Sequence, residues 1–440
     1  MAILAVVKKD LMETMPIERK ADQLGDQSER VSHAHANFLK NRQAALHLIS
    51  TVVSRKVEQF AQGNAPLSPG AQKPLFDRPD LVEFATGSLV KVFGPDYAIF
   101  TGRRVPRIPN GDLLLFDQVT RLEGKPGVFD QPASITTRYT VPPDAWFLAH
   151  NGYPTLPFSI LQELALQPCG FLSAWLGTSF LQPHQDLYFR NLDGQATLLW
   201  EPDCRGKSIV ANADLLSTTL GGGTIIQKYR FTLSLDGNIF FQGESVFGYF
   251  QAGAMANQAG IDNNKLTPPA DGSQGEQLLV LPPVNPEQPY WSLPSGQLDL
   301  LHPAEVWVKS APGQPEEIWV KKTNNPDDWF YTCHFYQDPV MPGSLGIEAV
   351  FQALQAYAMA KGVGSQFRSP RFKLITGEPV TWKYRGQIVP KTHTLTFRVI
   401  VKASVWEEGR WIIRGDASLW AEATRIYDIN QLGIQIVETA

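Results

Sequence analysis

Apolar positions recur at helical spacing along two stretches of the chain and at strand spacing along most of the rest. Residues 27–61 contain no Gly or Pro, and Val31, Ala34, Phe38, Ala45, Ile49, Val52 and Phe60 fall near a 3.6-residue period. That spacing predicts an amphipathic helix, either a docking or linker helix or one packed on the main body. Residues 62–80, GNAPLSPGAQKPLFDRP at their core, are a Pro/Gly linker. From 81 to about 270 the pattern is mainly strand. FATGSLVKVFG, DLLLFDQVTRLEG, ASITTRYTVP, AWFLAH, GTIIQKYRFTLSLDG and NIFFQGESVFGYF are rich in Val, Ile, Thr and Phe and bounded by turn residues. One long helix interrupts them at 159–181, and Pro168 inside it predicts a kink or break. Residues 253–297 are polar, rich in Pro and Gly and low in periodicity, which suits a connection between domains.

From 298 onward the strand–helix–strand order repeats. Pro143-Asp144-Ala145-Trp146-Phe147 matches Pro326-Asp327-Asp328-Trp329-Phe330, and YPTLPFSILQE matches DPVMPGSLGIE. A third match pairs Gly237-NIFFQ-Gly243 with Gly409-RWIIR-Gly415. An internal repeat therefore covers most of the chain. The expected division is a helical and linker segment (1–80), a first repeat (81–270), a linker (271–297) and a second repeat (298–440).

Composition narrows the class. With 43% hydrophobic and 19% charged residues the chain is globular. A net charge of −4 leaves no basic footprint for nucleic acid. The three cysteines, Cys169, Cys204 and Cys333, have no CxxC spacing, and their odd number argues against a disulfide framework. No apolar run approaches the ~20 residues of a membrane span. In MAILAVVKKDLMETM the charges follow the apolar run, the wrong order for a signal peptide. The expected compartment is the cytoplasm.

Candidate chemistry concentrates in residues 326–357. A strand-like stretch ends in Cys333-His334, a tight turn runs from Asp338 to Gly343, and an apolar helix starts near Ser344 and carries Glu348 and Gln352. Backbone N–H groups at a helix start can hold a carbonyl oxygen as it becomes negative. A histidine, such donors and a carboxylate within a few turns suit acid–base chemistry on an acyl group.

HFYQDPVMPGSLGIEA (334–349) resembles the active-site segment of bacterial 3-hydroxyacyl-carrier-protein dehydratases of the 3-hydroxydecanoyl type, and GEPVTWKYRGQIVP (377–390) resembles a later strand of the same enzymes. The resemblance covers roughly residues 300–436, and the whole chain looks like the dehydratase region of a polyunsaturated fatty acid synthase or a related multidomain lipid or polyketide synthase. It implies an α+β double hotdog: two fused units, each a curved antiparallel sheet around a long helix, preceded here by the N-terminal helix. It implies dehydration of a 3-hydroxyacyl chain borne on acyl carrier protein, with neighbouring synthase domains as further partners, a homodimer as an option, and neither metal nor organic cofactor.

In that family the site forms between units, so a fused chain has two candidates. One joins His334 and Gly343 with Glu163 and Gln167. The other joins His150 with Glu348 and Gln352. Both carboxylates belong to an E-x-x-x-Q pair on one helix face, Glu163-LAL-Gln167 and Glu348-AVF-Gln352. The first half is two residues shorter between its Trp-Phe pair and its Pro, so His150 falls opposite Cys333 or Phe335 and a strand side chain would point to the wrong face. It also has Phe158 for Gly343 and Tyr153 for Asp338, and the second site is read as degenerate. The resemblance gives His334 as base at an ordinary pKa of roughly 6.5, the Gly343 N–H as donor to the thioester carbonyl, Glu163 as acid at the C3 hydroxyl and Gln167 as its orienter. The remaining readings are an isomerase shifting a 2-enoyl double bond with the same base, a non-catalytic carrier-protein-binding module, and a thioesterase. The thioesterase is disfavoured because such enzymes lack the HFxxDPVMPG stretch. His33, His35, His47, His184, His302 and His393 share no metal-ligand spacing and are expected at the surface, and Cys169 and Cys333 as packing residues.

Overall fold

The computed structural model describes residues 74–151, 155–268, 277–279 and 290–439. The expected helix at 27–61, and with it His33, His35 and His47, lies outside these residues. Two helices come first, α1 (Arg78–Thr86) and α2 (Leu89–Phe93). The first half continues with β1 (Gln118–Glu123), β2 (Ala133–Thr140), the short α3 (Trp146–Ala149) and the long α4 (Phe158–Trp175). It closes with β3 (Leu187–Leu198), β4 (Ser208–Gly221), β5 (Thr224–Leu235) and β6 (Asn238–Gln251). After α5 (Ala252–Ala256) and β7 (Gln277–Leu279), the same order recurs. It runs β8 (Ala304–Lys309), β9 (Glu317–Thr323), α6 (Phe330–Cys333), α7 (Gly343–Ala360), β10 (Pro370–Leu374), β11 (Pro379–Tyr384), β12 (Thr394–Glu407), β13 (Arg410–Ala421) and β14 (Thr424–Glu438).

Each half wraps an antiparallel sheet around one buried helix, and the chain is a double hotdog. α4 packs on β2, β4 and β5, α7 packs on β9, β12, β13 and β14, and the two helices touch. Alternation drives the wrapping: β5 reads intermediate, buried, intermediate, buried along its whole length, so one face meets the helix and the other does not. The two sheets are continuous. β3 pairs antiparallel with β11, Gln195 opposite Thr381, in the order β1-β2-β4-β5-β6-β3-β11-β14-β13-β12-β9-β8-β7, with β10 beside β14. The two central helices therefore share one core.

Several local expectations give way. FATGSLVKVFG is helical, not extended, because Asp77 caps α1 in a capping box with Asp80 and Pro79 occupies the first turn. Leu81, Phe84, Ala85 and Leu89 then face the core at helical spacing. α1 also runs through residue 80, expected as the end of the linker, and Leu75 N–H already bonds Val119 O on β1. AWFLAH forms α3, and the stretch ending at Cys333 forms α6, where a strand was expected. Pro168 neither ends nor splits α4, which runs unbroken to Trp175. The third repeat match is out of register. Gly237 opens β6 and Gly409 opens β13, whereas β13 is the counterpart of β5. The match had aligned two tight hairpin turns of like geometry, Asp236-Gly237 and Glu408-Gly409, all four residues at positive φ.

Candidate active site

The two halves build corresponding sites on the same frame. In each, the glutamine of the E-x-x-x-Q pair ties its helix to the loop ahead of the first strand. Gln167 accepts from Leu115 N–H at 3.0 Å and donates to Leu113 O at 2.8 Å. Gln352 accepts from Leu300 N–H at 3.1 Å and donates to Leu298 O at 2.7 Å. The glutamines thus fix the turn of helix that carries each glutamate.

Glu163 faces the N-terminus of the other half's helix. Its Oε1 accepts from Ser344 Oγ at 2.6 Å and its Oε2 from Gln167 Nε2 at 3.0 Å. Burial pushes its carboxyl above the usual range despite both hydrogen bonds. His334 follows α6 directly, and its Nδ1 lies 2.9 Å from Val340 O. A carbonyl only accepts, so Nδ1 carries the proton and Nε2 keeps its lone pair. Val340 N–H in turn donates to His334 O at 2.8 Å, closing the turn that leads to Pro342 and α7. The ring does not have the ordinary histidine pKa expected from sequence. Burial pushes it down to about 3, with Arg190 adding to the effect, so the imidazole is neutral across the physiological range.

His334, Glu163, Gln167, Gly343 and Ser344 line one cavity of about 100 Å³, together with Tyr384 and Tyr427. Its apolar end runs along α4 past Leu166 and Gly170 to Phe189 and Phe247, whose rings stack at 4.8 Å. Gly343 is the first residue of α7, where backbone N–H groups precede the helical ladder. Glycine is required there: a Cβ would sit 2.7 Å from the Tyr384 ring. At the mouth, Arg190 on β3 makes a bidentate ion pair with Asp338, at 2.7 and 2.8 Å, and donates to Gln387 Oε1. A strand of the first half thereby clamps the histidine turn of the second. Sequence reasoning missed Arg190, Ser344 and Tyr384, since nothing in local spacing links positions as far apart as Arg190 and Asp338 or Ser344 and Glu163.

The second set of residues is assembled differently. Ser295 N–H donates to His150 O as Asn110 N–H donates to Cys333 O, which puts His150 opposite Cys333 and Asn151 opposite His334. Asn151 Nδ2 donates to Thr155 O as His334 Nδ1 does to Val340 O. The His150 ring lies against Gly296, and no hydrogen bond joins it to Glu348 among the described residues. Glu348 is fully buried, accepts from Ser159 N–H at 3.3 Å, and is pushed up by burial to about 7. Phe158, in the place of Gly343, packs on Phe241 and Phe351 at 5.8 and 5.4 Å. Gln355 is buried where the first helix has Gly170. The space that is open around Glu163 is filled around Glu348.

Of the other groups read from sequence, Cys169, Cys204 and Cys333 are free and buried. His184 and His393 are exposed, whereas His302 is half-buried and bonds Asp299 through Nδ1 at 2.9 Å. Among the described residues, no three His, Cys, Asp or Glu side chains cluster as metal ligands, and no helix is long and apolar enough to cross a membrane.

Comparison with known proteins adds relatives. The chain is 30% identical over 388 residues to a polyunsaturated fatty acid synthase component of Thraustochytrium sp., covering 81% of this chain and 26% of that protein. It thus spans about a quarter of that relative's length. Among solved structures, the dehydratase domain from the CurK module of curacin polyketide synthase aligns with a TM-score of 0.40 at 13% identity, over 73% of this chain and 97% of that one. An acyl-CoA thioesterase II from Mycobacterium marinum aligns with a TM-score of 0.34 at 13% identity, over 68% of this chain and 92% of that one. Residues 293–430, which hold His334, Gly343 and the whole of α7, match the model of a FabA-like domain.

Proposed function

We propose that this chain dehydrates a 3-hydroxyacyl thioester borne on acyl carrier protein, as a dehydratase region of a cytoplasmic polyunsaturated fatty acid synthase or related multidomain synthase. One observation carries the reading. A neutral imidazole from one half and a buried carboxyl from the other face the same cavity at a helix N-terminus.

The chemistry follows from those protonation states. His334 Nε2 takes the C2 proton of the substrate. The Nδ1–H···O bond to Val340 fixes the ring and stabilises the imidazolium that forms. As C2 loses its proton, negative charge grows on the thioester oxygen, and the Gly343 N–H and the start of α7 stabilise it. Glu163 is the acid. Burial keeps it protonated, Ser344 and Gln167 hold its two oxygens, and its proton goes to the C3 hydroxyl, which leaves as water. The C2–H pair becomes the C2–C3 double bond, the C3–O pair leaves with the water, and no oxidant or reductant is needed. The Leu166, Gly170, Phe189 and Phe247 end of the cavity takes the acyl chain. The second set cannot perform this cycle, because Asn151 is no base and Phe158 occupies the carbonyl's place.

The test is product analysis with 3-hydroxydecanoyl N-acetylcysteamine. A dehydratase yields the 2-enoyl thioester with the carbon–sulfur bond intact. Release of free thiol and hydroxy acid would make the chain a thioesterase and overturn the proposal.

A further inference from the structure

Among the cavity's hydroxyls that the proposed mechanism does not use, that of Tyr384 stands apart. Tyr384, at the end of β11, has its phenol oxygen buried and without a hydrogen-bond partner. A buried hydroxyl left unpaired is costly, and here the oxygen borders the cavity that takes the acyl group. Its place is specific: a Cβ on Gly343 would lie 3.1 Å from it. The hydroxyl therefore flanks the backbone N–H already assigned to the carbonyl. Gln162 and Glu163 are its polar neighbours, and burial holds the phenol well above its usual pKa against an opposing interaction with Gln162, so it keeps its proton and can donate.

The internal repeat supplies an independent comparison. Tyr384 pairs across strands with Tyr427. The matching pair in the other half, at the same step of β3 against β6, is Leu198 with Phe241. Those two residues cover the start of α4 without any hydroxyl, and Phe158 fills the space beneath them. Covering a helix start thus needs only an apolar side chain in this fold. The hydroxyl occurs in the half that keeps the histidine, the glycine and an open cavity.

We propose that Tyr384 is a second oxyanion donor, its O–H hydrogen-bonding the substrate's thioester oxygen beside the Gly343 N–H. The proposal rests on the dehydratase reading for the identity of the ligand. It adds a donor whose bond shortens as charge develops on the oxygen, so it acts chiefly on kcat.

The experiment uses Tyr384→Phe, which keeps the ring that packs over Gly343 and removes only the hydroxyl. Two readouts are taken on the whole chain. The first is the rate of water loss from 3-hydroxydecanoyl N-acetylcysteamine. Loss of one oxyanion donor predicts a fall in kcat of about 10²-fold with KM little changed. The second is the infrared carbonyl band of bound decanoyl N-acetylcysteamine, labelled with carbon-13, which has no 3-hydroxyl to lose. The donor lowers the carbonyl frequency, and Tyr384→Phe returns it part of the way towards the free value. A variant with an unmoved carbonyl band overturns the proposal whether its rate is normal or reduced, since a reduced rate alone would reflect packing. A wild type that binds the decanoyl probe with a Tyr384-dependent shift but releases no water from the hydroxy probe overturns the dehydratase reading and leaves the donor in place.

Discussion

Glu348 offers a quantitative test of the asymmetry between the two halves. Its carboxyl is fully buried, accepts one backbone N–H from Ser159, and has no partner for Oε1. Ser159 and Gln352 only partly offset that burial, and Gln352 is also committed to the loop at Leu298 and Leu300. Desolvation raises the group from 4.5 to about 7. The folded state therefore keeps the proton where the unfolded chain has lost it. The contribution to stability is full below the unfolded value and is lost as pH rises from about 4.5 to about 7. At about 1.4 kcal/mol per pKa unit, the loss amounts to about 3 kcal/mol above neutrality. Glu348→Gln has the same shape, keeps an oxygen for Ser159 N–H, and has no charge to bury. It should match wild type near pH 4.5 and be more stable by about 2–3 kcal/mol near pH 8. Urea unfolding followed by fluorescence across that range measures the difference. Equal midpoints for the two proteins near pH 8 would mean that Glu348 ionises in the fold without penalty, and the description of that half as filled would fail.

Three further outcomes follow. Gly343→Ala drives a Cβ into the Tyr384 ring and should lower dehydration at least tenfold while costing about 1–3 kcal/mol in stability, read by turnover and melting of the same sample. The pH profile of kcat/KM should lack an acid limb near the ordinary histidine value of about 6.5. His334 is held neutral down to about 3, while a raised Glu163 keeps the acid form to higher pH than an ordinary carboxyl, so the rate falls on the alkaline side as Glu163 ionises. Arg190→Ala strands Asp338, 14% exposed, against the histidine turn and should cost about 3 kcal/mol of stability, with dehydration falling too.

Much of the architecture is legible in the chain because burial imposes periodicity. The two central helices are long, apolar and almost free of breakers, and the paired strands alternate, so both halves and their repeat stand out. What fails is short and local. α1 and α2 contain Val, Phe and Thr, a strand-like composition, yet the signal that overrides it is a capping box and a first-turn proline at Asp77-Arg78-Pro79-Asp80. Pro168 removes one helical N–H and was expected to kink or break α4; no break occurs, because the helix is packed on three strands and on α7 and tertiary contact outweighs the lost bond. In the site, the motif around His334 identified one half by resemblance, and helix spacing identified the E-x-x-x-Q pairs. The meeting of Glu163 with Ser344, and of Arg190 with Asp338, depends on how two hotdogs face each other, which no local pattern encodes. His150 was placed opposite Cys333 when counted from Trp146, and backbone pairing puts it there. The residue opposite His334, Asn151, emerges only from that pairing. The histidine's ionisation also escapes sequence, because its shift comes from burial.

The central claim is that a single site, made by both halves, removes water. The most direct test is mass-spectrometric detection of water loss from a 3-hydroxyacyl thioester by wild type, His334→Ala, Glu163→Gln and His150→Ala. Loss of activity in the first two variants and its retention in His150→Ala is the predicted result. Equal damage from His150→Ala would contradict the single-site account, and a wild type that releases no water from thioesters of any chain length would contradict the dehydratase itself.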